Sequence, residues 1–304
     1  MTKLLIINVI FVTTLLLNAV SFGKEFISER ELFIGLEMKL ANSPDIERLE
    51  MYISQISKNE EKLDSEKEKE NFISKNRKFI EKSLENGKKY IPMVLSVLVK
   101  HNLPLELVFI PAIESGYING ITSSKGAAGI WQFVPQTART FGLVVNKQVD
   151  ERLDPIKSTI AAANYIKYLY SIFGDWKLVL ASYNAGHNKV ISKISYHGSS
   201  FNSIDKHLPK QTQNYIVKFT ALSQEGKKIL LKEGLPKESE MEVVPLRGGY
   251  DIKTLAKISY IPEKKLRELN KHFLKGVIPD DGNEYNLYVP KGYERFVEAI
   301  LNKS

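Results

Sequence analysis

From Tyr90 to Gly226 the chain is a succession of apolar stretches cut by Gly and Pro, and almost nothing alternates with a period of two before Val243. Such spacing supports helices and excludes a sheet as the main scaffold. An apolar run over 91–101 ends at Asn102, and Pro104 then opens a helix over 105–114, broken by Gly116 and Asn119-Gly120. Residues 134–141 give a short helix ended by Gly142. Asp154-Pro155 caps a long one reaching Phe173 and stopped at Gly174. Asp175 caps a helix over 176–185, ended by Gly186, and 211–224 form an amphipathic helix ended by Gly226. The expected class is mainly α.

Both flanks differ from this centre. Lys3, then 4–20 without a charge, then Ser21-Phe22-Gly23, make a signal peptide over 1–23. The alternative is a retained membrane tether, because a charge-free run of seventeen residues sits at the lower limit for spanning a bilayer. Either way the protein is expected in the periplasm or cell envelope. Zero cysteine excludes disulfides, cysteine-ligated zinc, thiol nucleophiles and a lipoprotein anchor.

Residues 24–88 carry 13 basic and 15 acidic side chains, with apolar residues at helical spacing (Leu32, Leu36, Leu40; Leu49, Ile53, Ile56; Phe72, Phe79, Ile80). They read as solvated amphipathic helices with a flexible middle from Asn59 to Asn71; a partner-binding arm is the alternative. Residues 89–304 carry 29 basic and 20 acidic side chains, so the net +8 of the chain resides there. An anionic polymer outside the cytoplasm is the natural partner; nucleic acid is disfavoured by the address, while wall polymer and phospholipid surface remain. Residues 236–304 read as a small module: two short helices (251–257 and 263–270) around Ile261-Pro262, and a strand at 285–289 partnered by 243–246.

Glu114 is the first carboxylate after the apolar segment 107–113, at a helix C-terminus before Ser115-Gly116. The negative end of the helix dipole and an apolar wall both raise its pKa, which suits protonation of a glycosidic oxygen; a surface Glu at a helix end is the bland alternative. The stretch 125–135 sets small residues beside aromatics and one amide. Its glycines let a backbone approach a ligand, Trp131 can stack on a sugar ring, and Gln132 can bond hydroxyl or acetamido groups. A Gly-rich turn with a core Trp explains the same residues. Tyr183-Asn184-Ala185-Gly186 places a phenol and an amide at another helix end, where an ordinary Gly-capped terminus is the alternative. His101, His187, His197 and His207 lack a ligand pattern, so neither metal nor cofactor is expected.

Glu114-Ser115, Gly129-Ile130-Trp131-Gln132, Tyr183-Asn184-Ala185-Gly186 and Pro209-x-x-Thr212-x-x-Tyr215 follow one another in the order and approximate spacing of the soluble-type lytic transglycosylase domain. The chain resembles that family over about residues 89–226, and four ordered motifs make the likeness specific. Two departures are minor: Ser182 stands where the family commonly has Ala, and Asn188 where it often has Gly.

The resemblance implies a lysozyme-like catalytic domain over 89–235 that cleaves the β-1,4 MurNAc–GlcNAc bond of peptidoglycan and leaves 1,6-anhydro-muramyl ends. It implies Glu114 as catalytic acid/base, with Ser115 supporting substrate or carboxylate. Gln132 and the Gly129 backbone would contact glycan, Tyr183 and Asn184 would line the cleft, and Tyr215 would close it. Hydrolytic glycosidases use two carboxylates. Here Asp150, Glu151, Asp154 and Asp175 read as loop or cap residues, which favours a single acid and an internal nucleophile.

Tyr250-Asp251-Ile252-x-x-Leu255-Ala256, Leu266-x-x-Leu269-Asn270 and Leu287-Tyr288-Val289-Pro290 resemble a LysM-type glycan-binding repeat, with the Gly-Asp before its first helix shifted. A subdomain that covers the back of the catalytic domain is the alternative. For the whole chain the rivals are a hydrolytic muramidase of the goose-type lysozyme kind and a non-catalytic peptidoglycan-binding scaffold.

Overall fold

Proline and glycine decide where helices start and stop in the computed structural model, which describes residues 63–234 and 240–302. The predicted signal segment and the apolar positions before residue 57 lie outside the described residues. Helix α1 (Leu63–Gly87) buries Ile80 and Leu84 and packs along a later helix, α9 (Lys210–Glu233). The expected flexible middle is therefore helical from Leu63, since Glu and Lys are good helix formers.

The central elements are α2 (Ile91–Lys100), a 3₁₀ turn (Leu105–Phe109), α3 (Ile110–Ser115), α4 (Pro135–Thr140), α5 (Pro155–Phe173), α6 (Trp176–Ala185), α7 (His187–His197) and α8 (Phe201–Ile204). Asp154 caps α5 by accepting from the Lys157 amide, Gly174 ends it in the left-handed region, and Asp175 caps α6. The helix expected over 105–114 is two pieces. Pro111 has no N–H to bond the Leu107 carbonyl, so the chain tightens to a 3₁₀ turn and restarts at Ile110.

Gly226 does not end α9. The helix runs on to Glu233 because the Phe109 ring lies where a side chain would project: a Cβ on Gly226 would sit 2.5 Å from the ring. Helix α7 escaped the pattern reading because Val190 is its one buried residue, and α8 because it is a single turn of four residues.

The C-terminal part pairs β1 (Met241–Arg247) with β2 (Glu284–Pro290), antiparallel from Met241↔Pro290 to Arg247↔Glu284. Between them lie α10 (Ile252–Ser259) and α11 (Glu263–Leu269), and α12 (Glu294–Leu301) follows. This part shares its core with the centre: Met241, Val243 and Tyr288 join the large central cluster, whereas Val149 belongs to the C-terminal one. A buried polar seam joins the two. Fully buried Asp154 accepts from the Tyr288 hydroxyl and from Asn286 Nδ2, and the Asp150 amide donates to the His272 carbonyl at 2.9 Å.

Candidate active site

Glu114 occupies the last turn of α3, which closes at once: Gly116 and Tyr117 both take left-handed backbones (φ 58° and 56°), and their amides return to Ala112 and Pro111. For Tyr117 that conformation is strained, and it is held by burial of the ring and a bond from its hydroxyl to the Val108 carbonyl. Asn86 of α1 adds a bond to the Gly116 carbonyl at 3.0 Å. These bonds fix the backbone turn that carries Glu114, which is itself half-buried.

Enclosure sets its chemistry. Burial raises the Glu114 pKa to about 7, and the Tyr215 hydroxyl pulls in the opposite direction. Tyr215 lies on α9, itself enclosed, and its hydroxyl has no partner at hydrogen-bonding geometry. One turn earlier, Thr212 Oγ1 donates to Asn184 Oδ1 at 3.0 Å and fixes the amide plane. Tyr183 donates its hydroxyl to the Trp131 carbonyl at 2.8 Å. Burial, then the nearby Glu114, hold both phenols well above the usual tyrosine range, so both remain protonated.

The loop carrying Gln132 is folded on a template. Ala128 bridges Thr122 on one side and Phe133 on the other. Gln132 has a positive φ of 50°, and its Nε2 donates to the Gly129 carbonyl at 2.8 Å. Gly129 is required by its own chain: a Cβ there would lie 1.8 Å from the Arg152 carbonyl. Gly129 thus brings its own backbone against that of Arg152. Ser115 Oγ is placed to donate to the Pro111 carbonyl (3.0 Å) or the Ile130 carbonyl (2.9 Å), and so ties the end of α3 to the same loop.

Trp131 does not stack on a ligand. It is wholly buried, with Nε1 donating to Thr159 Oγ1 at 2.8 Å, because the loop turns its ring into the core. The structure brings Glu114, Ser115, Gly129, Gln132, Tyr183, Asn184 and Tyr215 to one place through these bonds and through the electrostatic reach of Glu114 on both phenols.

The four acids read as structural are engaged. Asp150 pairs with Arg152, Glu151 pairs with Lys157, and Asp154 and Asp175 cap helices. Among the described residues no group of three or more His, Asp or Glu could hold a metal ion.

Sequence reasoning missed Ile118 and Ile121, exposed on the loop after Glu114, and Val134, exposed beside Gln132. Apolar residues in a turn rich in Gly, Asn and Ser were the available signal. It also missed Glu106, buried with neither carboxylate oxygen bonded, whose pKa burial raises against its own amide and Lys227.

Comparison with known proteins gives two family matches, two relatives and two solved structures. Residues 98–205 match the Transglycosylase SLT domain, and residues 240–302 match the LysM-like domain of lytic transglycosylase MltD. The membrane-bound lytic murein transglycosylase D of Escherichia coli strain K12 is 30% identical over 241 residues, covering 75% of this chain and 52% of that protein; the protein of the same name from strain O6:H1 gives the same figures. The chain spans about half the length of these relatives. Weaker likenesses in structure are to an inactive variant of lytic transglycosylase Slt from Pseudomonas aeruginosa and to the 70 kDa soluble lytic transglycosylase of E. coli. Both are 22% identical, with TM-scores of 0.39 and 0.40; they cover 48% and 49% of this chain and 25% of theirs.

Proposed function

We propose, from the match of residues 98–205 to the transglycosylase SLT domain and of residues 240–302 to the LysM-like domain of lytic transglycosylase MltD, that the chain is a lytic transglycosylase acting on peptidoglycan. One observation carries the reading: Glu114, half-buried at the end of α3 beside the protonated phenols of Tyr183 and Tyr215, has its pKa raised by burial to about 7. Such an acid holds its proton near neutrality and gives it to a leaving oxygen.

In the first half of the reaction the Glu114 proton passes to the glycosidic oxygen as the bond from the muramyl C1 breaks. In the second, the Glu114 carboxylate takes the proton of the muramyl 6-hydroxyl, whose oxygen forms the new bond to C1. The acid is regenerated and no water is consumed. An internal nucleophile supplies the effective concentration that a second carboxylate and a bound water supply in hydrolases. The Tyr215 hydroxyl steadies the carboxylate stage. Asn184, its plane fixed by Thr212, and Gln132 present amides to the glycan, while Ser115 braces the loop through the Ile130 carbonyl. Ile118, Ile121 and Val134 offer apolar contacts to sugar faces.

On this reading 89–235 carry the chemistry and 236–304 the wall-binding module. The charge-free run 4–20 exports the chain to the envelope, and the basic excess of 89–304 suits a polymer bearing peptide carboxylates. The deciding experiment is mass spectrometry of purified sacculi digested with the protein. Anhydro-muramyl ends are expected; reducing muramyl ends would make it a muramidase, and no new ends a scaffold.

A further inference from the structure

The backbone of 126–133 is held from two sides. Facing Glu114, the Ile130 carbonyl accepts from Ser115 at 2.9 Å and the Trp131 carbonyl from Tyr183 at 2.8 Å. From behind, Arg152 Nη1 donates to the carbonyls of Gly126 (2.5 Å) and Phe133 (3.0 Å), closing both ends of the loop, and the Arg152 carbonyl fills the space beside Gly129. The guanidinium is aimed by Asp150, through Nε to Oδ1 at 2.8 Å and Nη2 to Oδ2 at 2.7 Å, with both residues buried. A planar fork is needed for all four bonds at once.

The segment that bears Arg152 is itself gripped by the C-terminal part. Asp154 accepts from the Tyr288 hydroxyl and from Asn286 Nδ2 (3.1 Å), and the Asp150 amide donates to the His272 carbonyl (2.9 Å). Asn270 clamps Tyr288 in turn, donating to its carbonyl at 2.7 Å and accepting from its amide at 2.8 Å. Lys271 Nζ reaches the Asn119 carbonyl at 2.9 Å, beyond the Glu114 turn. These bonds run without a gap from β2 to the loop that meets Ser115 and Tyr183.

We propose that the C-terminal sheet is a positioning element for the catalytic loop, acting through Asp154 and Arg152 on the carbonyls that hold Ser115 and Tyr183 beside Glu114. The inference rests on the role assigned to Glu114. It gives the LysM-like part a task besides wall binding: it sets the alignment of the acid, so its loss is felt in turnover as well as in attachment.

The test uses the full chain with Arg152→Lys and Tyr288→Phe. The first keeps the charge but loses the fork; the second removes one oxygen atom from a ring that stays packed. Anhydro-end release from sacculi is measured for kcat, KM and pH dependence, and the Glu114 carboxyl is titrated by NMR, assigned with Glu114→Gln. Turnover is expected to fall about tenfold or more in Arg152→Lys and about threefold in Tyr288→Phe, with KM changed by less than about twofold. In both, Glu114 titrates at lower pH than in the wild type, because a loosened loop admits water. A change in KM alone, or a Glu114 titration unmoved in either variant, overturns the proposal; a merely structural role would lower thermal stability and leave that titration in place. If the wild type releases no anhydro ends, the assigned activity fails, and the titration still decides whether the sheet positions the loop.

Discussion

The carbonyl oxygen of Arg152 stands 1.8 Å from the point where a Cβ would project from Gly129, whose φ is +80°. Space and backbone conformation both exclude a side chain there. Gly129→Ala is expected to cost more than about 2 kcal/mol, since the left-handed backbone alone costs roughly 1–2 and the clash must be added. Thermal unfolding checks this. An unchanged midpoint would show that the loop relaxes away from Arg152 at little cost.

Glu114→Gln should abolish anhydro-end release and make the fold more stable at neutral and alkaline pH. The sign follows from a folded pKa of about 7 above an ordinary 4.5. Stability from the protonated carboxyl is full below about pH 4.5 and is lost as pH rises through about 7, a difference of about 3 kcal/mol at most. Glutamine has no charge to bury and escapes that loss. Unfolding midpoints of both proteins across this range should diverge as pH rises; parallel curves would mean that the carboxyl is not enclosed.

Tyr215→Phe is a subtler change. The hydroxyl lowers the Glu114 pKa against burial, so its removal should raise that pKa further and carry the alkaline limb of activity to higher pH. Because the hydroxyl is enclosed without a bonded partner, stability should change by less than about 1 kcal/mol. A limb that moves to lower pH would mean that Tyr215 does not steady the Glu114 carboxylate.

Gly226→Ala probes the contact between α9 and Phe109, the residue that precedes α3. The Phe109 ring sits 2.5 Å from the would-be Cβ, inside α9 and about two turns before its end, so the substitution should cost about 1–3 kcal/mol by overpacking, although alanine is the better helix former. Chemical denaturation would report it. A stabilised variant would mean that the ring has room to move.

Much of the fold could be read from punctuation. Asp154, Gly174 and Asp175 mark their helix ends because capping is a matter of a few neighbouring residues. Gly226 misleads for the complementary reason: in isolation it reads as a terminator, and only Phe109, more than a hundred residues earlier, explains its presence inside α9. Pro111 carries its own message, a missing N–H, yet the 3₁₀ turn it produces needs the registry of both flanking pieces.

At the site the same division holds. Glu114, Gln132, Tyr183, Asn184 and Tyr215 stand out by chemistry and by order along the chain, because a carboxyl after an apolar run and amides beside glycines are local features. The sequence by itself determined which groups are available and that the scaffold is helical. Tertiary structure alone decided that Trp131 faces the core and that Tyr215 comes to Glu114. It also decided that Asp154, a helix cap by sequence, is where Tyr288 and Asn286 of the C-terminal sheet bond to the central part. Burial, pKa and long-range hydrogen bonds depend on which surfaces meet, and residue spacing within one segment carries no record of that meeting.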